Sequence, residues 1–348
     1  MHLGAIHAKI CCCIGFTRNA GRENKVKPLV SVVMVCRNAE STLPWAFGSL
    51  LAQTSRDWEC IYVDDGSTDR SFDVAVGLGD PRIRAYRLDT NRGRGAARQF
   101  ALEQAEGEYL CMLDADDWMY PWRLQTELDF LEAEPKAAIV SAGMAILDGE
   151  LDLVGVRGHV NGDNPKVFPP MVRLGMPPFG FPQSMIRMRI AKLCKFDPQF
   201  RAAEDVDFLM QILLDHGYGI LNRILYAYTE CSTVTLEKLM LYNRFTGQMF
   251  GKQRAGFPLQ SRLCNLEVFA KSLVYRGAFA INRSEWLVRR RSRPPTPTER
   301  EEFHRAQATV ALKVEENFEL PFGSRGSRCL LLDLPGTGAM TLARPSSN

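Results

Sequence analysis

Two acidic turns, each at the end of an apolar run, constrain this chain more than any other feature of its sequence. The run at 58–63 leads into DDGSTD at 64–69, and the run at 109–113 leads into DADD at 114–117. Apolar runs of this length are typical of strands buried on both faces, and carboxylates gathered where such strands end are costly unless they bind a partner. Ligands of open α/β sheets bind at this carboxyl edge. The pattern therefore predicts a ligand site there.

Strand-like runs alternate with helix-like segments over most of the chain, which predicts an α/β fold with a doubly wound, mostly parallel sheet. Strands are predicted at 29–35, 58–63, 83–88, 109–113 and 138–142. A helix is predicted at 95–106, ended by Gly107 with a left-handed backbone, and another at 205–216, stopped by Gly217. The stretch 143–183 is rich in Gly and Pro and predicts either a lid or acceptor wall or a surface insertion.

The composition predicts a core large enough for one main domain, because 46% of the 348 residues are apolar. The formal net charge of +3 argues neither for nor against a nucleic-acid partner, but the basic runs lack stacking aromatic residues, so no nucleic-acid partner is expected. Several of the ten cysteines fall inside apolar strands, and none has the spacing of a metal site. Reduced thiols of this kind predict a reducing, cytoplasmic location.

Three regions are predicted from shifts in composition. Residues 1–28 form a leader that we expect to be poorly ordered, and 29–229 form the α/β domain. Residues 230–348 form a mainly helical, basic extension with a flexible end, in which 266–281 is expected to be an amphipathic helix packed on the body or on a membrane surface. The arginines at 289–291 and 293 indicate a solvated basic linker or a peripheral contact with anionic lipid on the inner face of a membrane.

Carboxylate oxygens at a sheet edge suit a hard divalent cation that carries a nucleotide diphosphate, because Mg²⁺ and Mn²⁺ take few protein carboxylates and complete their shell with phosphate and water. The sequence therefore predicts a metal-dependent enzyme that uses an activated nucleotide. A nicotinamide-dependent dehydrogenase would need GxGxxG after the first strand, and that motif is absent there. A nucleotidyltransferase would need a glycine-rich loop bearing a lysine there, but the chain has Asn38-Ala39-Glu40.

Six segments in this order resemble glycosyltransferase family 2, whose members have the GT-A fold of nucleotide-diphospho-sugar transferases. They are VSVVMVCRNAE at 30–40, LLAQT at 50–54, VDDGSTD at 63–69, GEYL at 107–110, LDADD at 113–117 and Glu204-Asp205. The resemblance covers roughly residues 29–229. It implies a hexosyltransferase that transfers a sugar with inversion from a nucleotide-diphosphate sugar to a hydroxyl of a glycan or lipid-linked acceptor, in glycan, polysaccharide or glycolipid synthesis.

The resemblance also implies roles for the acidic residues of the two turns. Asp65 would accept the ring N–H of a uracil-type base, Asp114 would lie near the ribose and the metal, and Asp116 would bind Mn²⁺ or Mg²⁺. Asp117 would either support the site or cap the next helix.

Arg98 matches the arginine of the family's Gly-x-x-x-Ala-Arg-Asn segment. Its guanidinium suits either a donor phosphate or an acidic turn.

One departure from the family concerns the nucleotide base. Where the family usually has Pro-x-Tyr at the end of the first strand, this chain has Val35-Cys36-Arg37. We assign Val35 and Arg37 to the donor site, where Arg37 would stack on the base in place of the tyrosine. Uridine diphosphate is the first choice for the donor nucleotide and guanosine diphosphate the second.

The acids that open the helix at 205–216 are predicted to serve the acceptor. By resemblance, Asp205 is the base that removes the proton from the attacking hydroxyl, and Glu204 lies on the acceptor side. Glu204 and Asp207 are rival bases, although stabilisation of the helix dipole is the simpler role of Asp207.

An alternative function is a catalytically inactive nucleotide-sugar-binding or scaffold protein with the same fold. The retained carboxylates speak against it. The Gln-x-x-Arg-Trp segment of processive synthases is missing, so a single-addition transferase is favoured.

Overall fold

The computed structural model describes residues 27–158, 166–229, 235–253, 255–281 and 291–318. The predicted leader lies outside these residues except for 27 and 28, and so does the predicted flexible end after 318. The strands are β1 (Val30–Cys36), β2 (Trp58–Asp64), β3 (Ile83–Arg87), β4 (Tyr109–Met112), β5 (Trp118–Met119), β6 (Ala137–Leu147), β7 (Leu153–Arg157), β8 (Lys166–Phe168), β9 (Ser184–Arg187) and β10 (Gly217–Thr229). The helices are α1 (Leu43–Leu51), α2 (Ser71–Gly77), α3 (Arg94–Gln104), α4 (Arg123–Ala133), α5 (Met188–Ala191), α6 (Glu204–Leu213), α7 (Leu236–Lys252), α8 (Pro258–Ala280) and α9 (Pro297–Asn317).

A single sheet runs through the described residues in the order β3-β2-β1-β4-β9-β6-β10-β5. Strands β3, β2, β1 and β4 pair in parallel, and so do β6 and β10. Strand β9 is antiparallel to both β4 and β6, so these two strands point the same way. The sheet is therefore mostly parallel, as the sequence predicted.

Helices cover both faces of the sheet. Successive side chains of a strand point to opposite faces, so neighbouring residues of β1 pack under different helices. On one face, Met34 of β1 belongs to a buried cluster with Phe47 of α1 and Leu128 of α4. On the other face, Val33 belongs to a cluster with Phe208 of α6. This doubly wound arrangement confirms the predicted fold class.

Two helix ends differ from the sequence prediction. Helix α3 stops at Gln104, and the φ of Gly107 is not positive. Gly107 instead lies against β1: its N–H donates to Ser31 Oγ at 2.8 Å, and a Cβ atom there would meet the Ser31 nitrogen at 2.6 Å. Close strand packing, not a helix cap, requires this glycine. Helix α6 ends at Leu213, so Gly217 begins β10 rather than stopping the helix.

The stretch 143–183 contributes strands that its composition did not reveal. Strand β6 continues to Leu147, β7 pairs with it, and β8 pairs with β10. Residues 159–165 lie outside the described part of the chain. This stretch thus contributes three strand segments to the sheet, whereas 169–183 forms neither strand nor helix.

The predicted helical extension packs on the main body. Helix α7 lies between α6 and α8, and α9 packs against α1. Thr296 caps α9 in a capping box with Glu299. Arg293, predicted to be part of a solvated linker, instead pairs with Glu299 and joins β7 through a backbone bridge to Val156. Arg289 and Arg290 lie outside the described residues.

Candidate functional site

The first acidic turn follows β2 and holds the loop that follows β1. Asp64 is fully buried, and its Oδ1 accepts from the Ser67 N–H at 2.7 Å. Ser67 Oγ in turn accepts from the Asn38 N–H at 2.9 Å. Gly66 has a φ of +70°, which favours glycine. These side chains therefore shape the edge of the sheet.

Asp65 is 3% exposed and fixes the loop that precedes α3. Its Oδ1 accepts from the Arg92 N–H at 2.7 Å, and its Oδ2 accepts from the Gly93 N–H at 2.9 Å. Each carboxylate oxygen has a second lone pair, so the predicted contact with a base would add to these bonds. The structure thus joins Asp65 to α3, the helix that carries Arg98.

Arg98 lies at the centre of the candidate site and joins its two acidic regions. Its Nη2 donates to Asp114 Oδ1 at 2.9 Å, and its Nη1 donates to Glu204 Oε1 at 2.9 Å. Burial alone would lower the pKa of Arg98, but the charges of Asp114 and Glu204, followed by that of Asp205, outweigh burial and raise it. The guanidinium therefore binds acidic residues, the second of its two predicted roles.

The first turn of α6 brings Glu204 and Asp205 to the region around Arg98. Glu204 is 1% exposed, and Arg94 Nε lies 3.3 Å from its Oε1. Its Oε2 is buried without a hydrogen-bond partner among the described residues, a costly state for a carboxylate oxygen. Asp205 is half-buried, and its Oδ1 accepts from the Val206 N–H at 2.9 Å.

The pKa of Asp205 is raised above its ordinary value, first by burial and then by the charge of Glu204. Arg98 and Arg94 oppose this rise. A carboxylate with a raised pKa is a stronger proton acceptor, which suits a general base.

Asp207, a rival base, is engaged elsewhere. It is fully buried and pairs with Lys252 at the end of α7, with Nζ and Oδ2 3.0 Å apart. Gln211 Nε2 donates to the same oxygen at 3.0 Å. Asp207 therefore connects α6 to α7.

The second acidic turn follows β4 and is supported by β10. Asp117 is buried, where Oδ2 accepts from Tyr226 Oη at 2.7 Å and Oδ1 accepts from the Thr229 N–H at 2.8 Å. Burial, followed by the charges of Asp116 and Asp114, raises its pKa well above the ordinary value. Asp117 thus supports the turn, one of its two predicted roles.

Asp116 is exposed and has no side-chain partner among the residues that the structure describes. The surrounding protein removes part of its hydration, which raises the pKa of the carboxyl, and the nearby charge of Asp114 adds to the rise. Asp114 is 26% exposed. No group of three or more His, Cys, Asp or Glu residues suited to a metal ion occurs in the described residues. Asp116 and Asp114 do fit a cation that takes one or two protein carboxylates and completes its shell with phosphate oxygens and water.

Val35 and Arg37 lie at the end of β1. Val35 is half-buried and packs against the cluster under α3. Arg37 is exposed, and the described residues provide it with no hydrogen bond or ion pair. Stacking on a base stays a prediction for this side chain.

Sequence reasoning missed three residues that border the site. Arg94 pairs with Glu204, and Tyr226 donates to Asp117. Burial raises the pKa of Tyr242 of α7, and the charge of Asp205 adds to the rise. Arg94 lies in the same segment as Arg98, but Tyr242 belongs to the helical extension and to no motif.

Comparisons with known proteins identify the family. The model of glycosyl transferase family 2 matches residues 31–192. EpsE of Bacillus subtilis, whose name assigns it to the glycosyltransferases, is 30% identical over 224 residues, which are 62% of this chain and 78% of EpsE. The chain belongs to glycosyltransferase family 2.

One further sequence relative and one solved structure are similar to this chain. The succinoglycan biosynthesis protein ExoO of Rhizobium meliloti is 34% identical over 132 residues, but these are only 38% of this chain and 36% of ExoO. The crystal structure of S. aureus TarS 1-349 has a TM-score of 0.53 at 20% identity, covering 83% of this chain and 81% of that one. TarS has also been crystallised with UDP-GlcNAc, in a structure with a TM-score of 0.51. At this identity TarS shows the fold alone, which is GT-A.

Proposed function

We propose that this family 2 glycosyltransferase moves a sugar from a UDP-sugar to a hydroxyl of a glycan or lipid-linked acceptor and inverts the anomeric centre. The contact of Arg98 with both Asp114 and Glu204, at 2.9 Å each, carries the proposal. It brings the strand-end acids assigned to the donor beside the helix that begins with Glu204 and Asp205. A sugar bound between them would have its leaving group on one side and the attacking hydroxyl on the other.

The chemistry proposed for the chain is a direct displacement. The acceptor oxygen bonds to the anomeric carbon as the bond from that carbon to the diphosphate oxygen breaks. Asp205 takes the hydroxyl proton on a carboxylate oxygen, and its raised pKa makes it a stronger base than an ordinary aspartate. Glu204 lies beside it on the acceptor side.

A divalent cation is part of the proposal. Asp116, with Asp114 beside it, would hold Mg²⁺ or Mn²⁺, and the ion would neutralise negative charge on the leaving diphosphate. The exposed, unpaired carboxylate of Asp116 among the described residues supports this assignment. The UDP-GlcNAc complex of TarS, a protein of the same fold, supports a UDP-linked donor, and the name of ExoO supports a role in polysaccharide synthesis.

The test begins with hydrolysis of a panel of UDP- and GDP-sugars with Mn²⁺ or Mg²⁺, which names the donor by the diphosphate released. With that donor and an acceptor, Asp205→Asn should lower turnover by about 10²–10⁴-fold and leave UDP binding intact. Asp215→Asn is the control, because Asp215 is an exposed acid beyond the other end of α6. Near-normal turnover of Asp205→Asn would reject the base.

Asp116→Ala tests the cation separately. Calorimetry should show that the wild type binds UDP more tightly with Mn²⁺ and that the variant loses this gain. Equal affinity with and without Mn²⁺ in the wild type would reject the metal site. Donor binding without turnover on any sugar would instead favour the non-catalytic alternative.

A further inference from the structure

Helix α8 presents an unusually apolar face to solvent. Its other face is fixed to the body: Ser261 Oγ donates to the Phe250 carbonyl at 2.6 Å, and Asn243 Nδ2 donates to Ser272 Oγ at 2.9 Å. Seven large apolar side chains on α8 and at its end are between 52% and 70% exposed: Leu259, Leu263, Leu266, Phe269, Leu273, Val274 and Ile281. An exposed apolar patch of this size marks an interaction surface. We call these seven residues the α8 strip.

Basic residues border the α8 strip on both sides. At 100° per residue, Arg276 lies just outside one edge of the strip and Arg262 just inside it, whereas Lys271 lies about 60° beyond the other edge; all three are exposed. Glu267 is the one exposed acid of the helix. A surface with an apolar centre and cationic edges is complementary to a bilayer with anionic headgroups.

We propose that the α8 strip lies in the interface of an anionic lipid bilayer, with its apolar side chains at the level of the acyl chains and Arg262, Lys271 and Arg276 at the phosphates. Within the described residues no helix has the length and hydropathy needed to cross a membrane. The helix has 23 residues and a length of about 34 Å, so it would lie along the membrane plane.

A second copy of the chain fits the α8 strip less well than a bilayer. A helix pair buries a narrow seam, whereas Phe269 and Val274 widen this strip to about 140°. An antiparallel pair would also bring Arg262 of one copy close to Arg276 of the other. A broad, planar and anionic surface meets neither problem.

The position of α8 relates this surface to the candidate site. Helix α8 packs on α7, and α7 is joined to α6 by the pair of Lys252 with Asp207. A buried cluster contains Val206 of α6, Met249 of α7 and Val268 of α8. A bilayer under α8 would therefore lie on the side of the molecule that carries α6, the helix that begins with Glu204 and Asp205. The membrane contact itself does not depend on the transfer reaction, since it is measured without substrate.

Co-sedimentation of the full chain with vesicles of phosphatidylcholine, with and without phosphatidylglycerol, tests the proposal. The wild type should bind the vesicles that contain phosphatidylglycerol. Leu266→Glu/Phe269→Glu should lose at least tenfold in affinity. The control Leu193→Glu/Leu312→Glu changes two exposed leucines outside α8, 75% and 48% exposed, and should bind as the wild type does.

A second variant tests the cations without changing the strip. Arg262→Gln/Lys271→Gln/Arg276→Gln should lose up to about a hundredfold in affinity for anionic vesicles, from about fivefold per cation. Circular dichroism should show that every variant is folded.

Two results would overturn the proposal. One is equal vesicle binding by wild type and Leu266→Glu/Phe269→Glu. The other is no vesicle binding by the wild type together with a dimer, seen by light scattering, that Leu266→Glu/Phe269→Glu abolishes; that result would assign the strip to a second copy. The Asp116→Ala variant should bind vesicles normally, so a failure of the donor chemistry would not be mistaken for a failure here.

Discussion

Arg98 and Arg123 are both buried arginines held by carboxylates, but their surroundings differ. Arg123 is fully buried: it donates to the Met112 carbonyl at 3.0 Å, to the Pro182 carbonyl at 2.9 Å and to Glu127, which is also fully buried. Arg98 donates to Asp114 and Glu204, and Asp114 is 26% exposed. Arg123 is enclosed by buried acceptors, whereas Arg98 also bonds an acid that is partly exposed at the candidate site.

The difference shows how a buried cation contributes to a fold or to a site. Arg123 joins β4, α4 and the segment before β9, and burial raises the pKa of Glu127 to about 7 although Arg123 opposes this rise. Arg98 lies among acids that the proposed reaction uses, and it lowers the pKa of Asp205. Arg123 should therefore mainly affect stability, and Arg98 should mainly affect catalysis.

The largest expected effect is on folding. Arg123→Met should lower the free energy of unfolding by about 3–5 kcal/mol, because it leaves Glu127 and the backbone carbonyls buried without their donor. Denaturant unfolding followed by circular dichroism measures this change. Adding Glu127→Leu should recover part of the loss, since an apolar pair needs no partner charge. A loss below about 1 kcal/mol would show that Arg123 contributes no more to stability than a surface ion pair does.

The next largest effect comes from Arg98, and it falls mainly on activity rather than on stability. Arg98→Lys keeps the charge but loses the planar fork that bonds two carboxylates at once. We expect a loss of stability of about 1–2 kcal/mol and a fall in kcat/KM of about 10–100-fold. Initial rates with the identified donor, together with unfolding curves, measure both.

Arg123→Lys is the matched control for Arg98→Lys. It should lose more stability than Arg98→Lys but keep the activity per folded molecule. If both variants lost activity in proportion to stability, the two arginines would have the same role.

The sequence could predict the elements whose signal is local. The apolar runs predicted at 29–35, 58–63 and 109–113 became β1, β2 and β4, and the acids after the second and third runs reached a common edge. This follows from the parallel order of the strands, which the alternation with helices implied. That Asp114 and Glu204 belong to one site was implied by the resemblance to family 2 and not by the local pattern.

Contacts set by distant segments could not be predicted. Arg123 is a charged residue of a type that is mostly exposed, and its acceptors Pro182 and Ser184 lie about sixty residues further along the chain. The bonds of Asp65 to the 92–93 backbone depend on where that loop returns to the sheet. Short strands such as β9 carry too few residues for a periodic signal, and their place is decided by their neighbours.

A smaller effect should appear in the pH profile. The pKa of Asp205 is raised by burial, so the acid limb of kcat/KM should lie above the ordinary aspartate value of about 3.9. Arg98→Met removes a cation that favours the carboxylate. The pKa of Asp205 then rises further, protonation occurs at higher pH, and the acid limb moves up.

Two variants serve as references for this shift. Arg94→Gln should move the limb in the same direction but less, because Arg94 is 62% exposed and screened by solvent. Arg123→Lys should leave it in place. An unmoved limb in Arg98→Met would remove Asp205, or Arg98 as its neighbour, from the proposed mechanism.

The smallest effect concerns Lys252, a cation between the two extremes. It is 42% exposed, and it pairs with the fully buried Asp207 and with Asp197. Lys252→Met should cost about 1 kcal/mol of stability, since solvent screens the exposed ammonium and Gln211 still donates to Asp207. Turnover should stay within about twofold, because Asp207 faces α7 and only interactions made in the transition state change kcat. Unfolding curves and initial rates measure the two quantities. A tenfold fall in kcat at unchanged stability would instead make Asp207 the base and Asp205 its support.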